Sequence, residues 1–222
     1  MESIKSISVI APHPDDEVLG VGGTMARFAQ QGAKVNVLFV SGHLPPLYPI
    51  ETFEKTRVEA QEAMKKIGAS HIKFLEIPAT KVRAEPVAKL NKAVGDFIND
   101  AESEIVFIPF PDRHIDHRVI FDAAMVATRP THNGHPKIIL AYETLSETYW
   151  NAPGIEPNFS PEIFFDISKT LELKIEALKE YASQVEGAPS RSPEAVMSLA
   201  KLRGSQNFCD AAEAFKAIRL IF

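Results

Sequence analysis

Hydrophobic positions along the chain switch repeatedly between a strand period and a helix period. Ile7–Ala11 (ISVIA) is a short β-branched run that ends at Pro12. Asp16–Gln31 has helical spacing and is closed by Gly32. Lys34–Val40 (KVNVLFV) reads as a second strand, Glu51–Ile67 as a helix closed by Gly68, and Ile72–Leu75 as a short third strand. Over Glu85–Asn99, Val87, Leu90, Val94, Phe97 and Ile98 recur at core-facing helical spacing. Glu104–Pro109 (EIVFIP) predicts a fourth strand, Asp116–Thr128 a helix, and Lys137–Tyr142 (KIILAY) a fifth strand. This alternation predicts an α/β fold: a three-layer sandwich with a mainly parallel central sheet, right-handed crossovers and strand order near 3-2-1-4-5.

The last third is less regular. Ser146–Pro161 is broken by prolines and a glycine and reads as a long surface loop. Ile163–Ile167 fits a further strand. Lys169–Ser183 predicts a helix with Leu171, Leu173, Ala177, Leu178 and Tyr181 on its apolar side. Gly187–Pro193 (GAPSRSP) is a turn-rich loop leading to a helix from about Pro193 to Arg203, and Ala211–Phe222 fits helix, strand or both. No repeat or composition break divides the chain, so a single domain over residues 1–222 is expected.

Composition narrows the function classes. With 45% hydrophobic and 24% charged residues the chain is of ordinary globular type. A net charge of −5 argues against a general nucleic-acid partner. Cys209, the one cysteine, has no partner for an intrachain disulfide. The start, MESIKSISVIAPHPDD, reaches a dense charge cluster before any signal-peptide core forms. Its apolar runs fall far short of the roughly 20 residues of a membrane span, and a cytoplasmic protein without a membrane span is expected.

Two polar clusters stand out. The first, His13-Pro14-Asp15-Asp16-Glu17, follows strand one. Aspartates before a helix are common caps, but capping does not explain a histidine framed by two prolines. The second, Asp112-Arg113-His114-Ile115-Asp116-His117-Arg118, follows strand four; alone it also fits a polar loop with Asp116 as a helix cap. In a 3-2-1-4-5 sheet, strands one and four are neighbours at the switch point, where ligands bind beyond the carboxyl ends of the strands. The topology therefore converges both clusters on one crevice. Two imidazoles and a carboxylate, with no thiolate, suit a catalytic zinc with an open position; ferrous iron accepts the same set. Gly20, Gly22 and Gly23 do not make a dinucleotide fingerprint, because His13-Pro14-Asp15-Asp16 occupies the phosphate position and its carboxylates repel phosphate.

The HPDDE stretch with Leu19-Gly20 and Gly22-Gly23, joined to the later HxDH, resembles the LmbE/PIG-L family of zinc-dependent N-acetylglucosaminyl de-N-acetylases. Softer matches run through Arg57, Glu59, Arg129-Pro130, Tyr142-Glu143-Thr144, Phe165-Asp166-Ile167, Arg191-Ser192 and Ala212–Phe215, over nearly the whole chain. The resemblance implies a Rossmann-like fold and removal of an acetyl group from an N-acetylglucosamine-type amino-sugar conjugate. It implies that His13, Asp16 and His117 bind zinc, that Asp15 is the general base, and that His114 stabilises the oxyanion, either of these two delivering the proton to the amine. It further implies that Asp116 orients His114 and favours its protonated form, and that soluble members self-associate as homo-oligomers. Some relatives place a tyrosine where this chain has Asp112, which leaves Asp112 available for sugar hydroxyls. Arg57, Glu143 and Arg191 are expected substrate contacts, although a surface ion pair explains Arg57 nearly as well. A solvated loop position explains His43 as well as a pocket position does, and structural roles explain Tyr149 and Trp150 equally. Substrate choice falls to the loops Gly42–Pro49, Ala79–Glu85 and Ser146–Pro161. A metal-dependent phosphoesterase is the alternative chemistry, weakened by having only Arg113 and Arg118 beside the clusters. A non-catalytic carbohydrate-binding relative is the other alternative, and it would be expected to carry a broken ligand set.

Overall fold

A computed structural model describes residues 4–131 and 133–221. Its first half alternates β1 (Ser6–Ala11), α1 (Asp16–Gln30), β2 (Lys34–Gly42), α2 (Ile50–Ile67), β3 (His71–Pro78) and α3 (Val87–Asp100). The second half continues with β4 (Ile105–Pro109), α4 (Ile115–Ala127), β5 (Ile138–Tyr142), β6 (Ile163–Asp166), α5 (Leu171–Glu180), α6 (Ala182–Val185), α7 (Pro193–Ser205) and β7 (Ala212–Leu220). The sheet runs β3-β2-β1-β4-β5-β7-β6. Its first five strands are parallel, as the alternation predicts, and β7 pairs antiparallel with both β5 and β6.

β1 and β4 are buried from end to end because both faces of the sheet are covered. Ile7, Val9 and Ala11 pack with Val18 and Met25 of α1, Met64 of α2 and Leu178 of α5 on one face. Ile10 points the other way, among Val94 and Ile98 of α3 and Ile120 of α4. The two faces follow from the two-residue side-chain period of the strand.

Several boundaries move from their expected places. α3 begins at Val87 rather than Glu85, since Pro86 cannot lie inside a helix after an extended Glu85. α4 begins at Ile115, capped by the ring of His114, whose Nδ1 accepts the N–H of Asp116 at 3.2 Å. The helix expected over Lys169–Ser183 breaks at Tyr181, where ψ swings to 49° between α5 and α6. The ambiguous C-terminal stretch is strand β7, held between two neighbours. Phe222, the last residue of that stretch, lies outside the described residues. No helix among the described residues is long and apolar enough to cross a membrane.

Candidate active site

β1 delivers Pro12–Asp16 and β4 delivers Phe110–His117 to the same edge of the sheet, at the point where the strand order reverses. A cavity of about 340 Å³ opens there, with His13, Asp15, Asp16, His114, His117 and Arg191 on its wall. The two clusters separated in sequence are therefore brought together.

Asp16 Oδ2 is the centre of the arrangement. It lies 3.2 Å from His13 Nδ1 and 3.3 Å from His117 Nε2, and it accepts the N–H of His13 at 3.0 Å. The opposite nitrogen of each ring is held by a second carboxylate. His13 Nε2 is 3.0 Å from Asp116 Oδ2, which also accepts the N–H of Thr80 at 2.7 Å. His117 Nδ1 is 3.0 Å from Asp112 Oδ2, which accepts the Thr148 hydroxyl at 3.1 Å. One nitrogen of each ring is thus tied outward and the other turned toward Asp16. His117 Nε2 is buried and makes no hydrogen bond among the described residues.

These features fit a divalent metal on three independent counts. Donor atoms about 3.3 Å apart match tetrahedral bonds of about 2.0–2.1 Å. Carboxylates on the outer nitrogens are how metal-bound imidazoles are normally oriented. A buried ring nitrogen that makes no hydrogen bond, with a carboxylate oxygen 3.3 Å away, is placed as a ligand is. His13, His114 and His117 also offer nitrogens within 4.8 Å of one another, so His114 stands beside the same point.

The pairing sets the titration of the metal-free site. Burial alone would lower the His13 imidazole, but Asp116 and Asp16 outweigh it and raise it to about 9. Burial is likewise outweighed at His117 by Asp16 and Asp112, which raise it to about 10. Asp16, although buried, is held well below the usual carboxylate range by His117 and His13. Asp15 differs: burial, reinforced by the Asp16 charge, pushes it up to about 7, against the pull of Arg191. Arg191 Nε lies 3.3 Å from Asp15 Oδ2. His114 is driven down to about 4 by burial and by the positive charge on His13 and His117.

Asp15 holds the N-cap position of α1 but does not cap the helix with its side chain. It precedes α1 with φ 118°, a region that strains any residue but glycine, and its carboxylate makes no capping hydrogen bond. The Asp116 carboxylate faces His13, and only its backbone N–H meets His114; its charge favours the protonated His114 ring, as expected, but burial and the positive charge on His13 and His117 outweigh it. Asp112 is buried against His117 and Thr148. Arg191 lines the cavity, and so does His43, whose ring meets Tyr48 edge-on at 4.7 Å.

Of the expected substrate contacts only Arg191 lines the cavity; Asp112, turned to His117, and two others lie elsewhere. Arg57 is half-buried on α2, outside the cavity, 2.7 Å from Glu76 and 5.1 Å over the Phe74 ring. Glu143 is buried in a pair with Arg203 at 2.7 and 2.9 Å and in a hydrogen bond with the Tyr149 hydroxyl. Trp150, at 71% exposed, lies at the surface. Tyr48, Thr52, Glu147, Ser183 and Gln184 also line the cavity. Thr52 comes from the first turn of α2, Ser183 and Gln184 from the broken helix, and Tyr48 and Glu147 from two of the loops expected to set substrate choice, with no period or motif to single out the individual residues.

A family model described as PIG-L, GlcNAc-PI de-N-acetylase, matches residues 8–128. YaiS of Escherichia coli (strain K12), described as an uncharacterized deacetylase, is 30% identical over 186 residues, 81% of this chain and 91% of YaiS. Diacetylchitobiose deacetylase of Thermococcus kodakarensis is 28% identical over 201 residues, 82% of this chain and 70% of that protein. Among solved structures, the 4-carboxy-2-hydroxymuconate hydratase GalB of Pseudomonas putida KT2440 superposes with a TM-score of 0.79 at 19% identity, covering 99% of this chain and 98% of GalB. That last likeness is one of fold alone.

Proposed function

The chain belongs to the PIG-L (LmbE) family of de-N-acetylases, and from that premise we propose that it hydrolyses the acetamide of an N-acetylglucosamine-type sugar with the help of a divalent metal. The observation that carries this reading is the pair of imidazoles with outward nitrogens on Asp116 and Asp112 and inward nitrogens facing Asp16 Oδ2. His13, Asp16 and His117 would hold the metal, with zinc the best match to two imidazoles and a carboxylate and ferrous iron an acceptable one. When bound, the metal supplies Lewis-acid polarisation of the amide carbonyl and a lowered pKa for water.

The remaining groups divide the proton work. Asp15 takes the proton of the attacking water; its carboxylate lies on the cavity wall next to Asp16, and Arg191, 3.3 Å away, favours its ionised form. His114 Nδ1 accepts the Asp116 N–H, so a neutral ring carries its proton on Nε2 and presents an N–H donor. That donor serves the developing oxyanion with no need for an imidazolium. Protonated Asp15 then returns the proton to the departing amine. A cavity of about 340 Å³ lies at the lower end of the roughly 300–1,000 Å³ of small-molecule sites and suits one sugar ring.

The test is acetate release from a panel of N-acetylglucosaminides with different aglycones, with metal measured in the same preparations. Stoichiometric chelation is expected to abolish release and zinc to restore it. Asp15→Ala is expected to lower turnover by about 10²–10⁴-fold with metal retained. Undiminished release from the metal-free protein, or phosphate released from phosphoesters with no acetate from any amide, would overturn the reading.

A further inference from the structure

Glu17 belongs to the His13–Glu17 cluster, yet the chemistry above gives it no part. It is fully buried, and both of its oxygens are engaged. Oε2 accepts the N–H of Asp15 at 3.1 Å, and Oε1 is hydrogen-bonded to the hydroxyl of Tyr181, itself 0% exposed. The peptide gripped in this way is the strained one. Asp15 has φ 118° and ψ −32°, and such a backbone persists only where its surroundings over-determine it. An aspartate at this position ordinarily takes an extended backbone and bonds back to the helix. Here its carboxylate lines the cavity instead.

We infer that Glu17 and Tyr181 are positioning residues, which hold the Asp15 carboxylate at the reaction site through one chain of hydrogen bonds from the Tyr181 hydroxyl through Glu17 to the Asp15 N–H. This rests on Asp15 being the base in the proposed reaction. The break between α5 and α6 acquires a reason from it. An unbroken helix over Lys169–Ser183 would continue past Tyr181, whereas the observed turn sets its hydroxyl on Glu17. Two residues later, Ser183 donates its N–H and its hydroxyl to Glu59 of α2, at 3.1 and 2.5 Å. Ser183 and Gln184 then form part of the cavity wall. One junction, pinned by buried carboxylates from α1 and α2, therefore builds the wall and braces the base. Neither Glu17 nor Tyr181 touches the cavity, so neither is a catalytic residue.

Tyr181→Phe removes a single oxygen and leaves the ring in the core. In the metal-loaded full chain, kcat is expected to fall about 10- to 100-fold, the range for misplacing a base. KM and metal content are expected to stay within twofold. In an Asp15→Ala background the same change is expected to cost nothing further, which a merely structural role would not produce. Glu17→Gln keeps an acceptor for Asp15 and a donor for the Tyr181 oxygen, and is expected to retain activity within a few fold, while Glu17→Leu matches Tyr181→Phe. A crystal structure of Tyr181→Phe is expected to show Asp15 away from φ 118°. Wild-type kcat in Tyr181→Phe, an equal loss in the Asp15→Ala background, or an unmoved Asp15 backbone would each overturn the inference. If the wild type releases no acetate, the proposed reaction fails, and the Asp15 backbone in the variant crystal still decides the positioning claim.

Discussion

His13 and His117 each have a carboxylate at both ring nitrogens, and Asp16 is the carboxylate they share. Removing an outer partner frees the ring to turn. Asp112→Ala is therefore expected to weaken metal binding by about 10- to 100-fold, measured by competition with a chelating dye, and to lower the melting temperature of the loaded protein accordingly. The same pairs fix a pH dependence. A raised imidazole pKa stabilises the folded chain fully below the unfolded value of 6.5 and ceases to do so as pH climbs through the folded values, about 9 for His13 and about 10 for His117. Metal-free protein is thus expected to lose melting temperature between pH 7 and 10 more steeply than loaded protein, whose ligand nitrogens carry no proton. Metal affinity is expected to rise over the same interval, because fewer protons must be displaced. At this scale the sequence shows which residues meet, since His, Asp and the HPDD and HxDH spacings carry their chemistry in their types. It does not show which carboxylate faces which nitrogen. Asp116 lies two residues from His114 but turns to His13, a choice made by Thr80 and the rotation of the first helical turn.

α1 can approach its neighbours so closely because of its glycines. A Cβ on Gly23 would stand 2.7 Å from Ile167 Cδ1, and one on Gly20 would stand 2.9 Å from the Glu143 carbonyl. Into this thin section a buried ion pair reaches across. Lys174 of α5 donates to the Leu19 carbonyl at 2.8 Å and to Glu213 of β7 at 2.6 Å, while Glu213 accepts the N–H groups of Gly23 and Thr24 at 2.9 and 2.7 Å. Lys174→Met leaves Glu213 charged and unpaired in the interior and is expected to cost about 3–5 kcal/mol, read from denaturant melts. The elements tied down here are the ones sequence periodicity describes least well. Leu171, Ala177, Leu178 and Tyr181 share one apolar pattern, and nothing in that pattern marks Tyr181 as the break, because its hydroxyl finds Glu17 only in three dimensions. The stretch Ala211–Phe222 mixes small, charged and aromatic residues, so β7 within it forms only through pairing with β5 and β6.

Across the whole molecule, parallel order puts β1 beside β4 and so makes a site out of two clusters far apart in the chain. That much is legible in the alternation of strands and helices, because each βα unit leaves little freedom in handedness or direction. Of the β7-β6 extension, β6 is legible as a strand over Ile163–Ile167, but its place beyond β7 is not, and the extension buries Glu213 and carries the face on which α7 packs. The same architecture belongs to a hydratase, so fold alone does not set the reaction, and the chemistry lies in the constellation at the switch point. That constellation makes a distinction that diffraction can read. Crystals of metal-loaded protein, measured on both sides of the zinc absorption edge, are expected to show one anomalous peak within about 2.0–2.2 Å of His13 Nδ1, Asp16 Oδ2 and His117 Nε2. A peak bound by the three imidazoles with Asp16 outside its reach, or no peak between β1 and β4, would contradict the account.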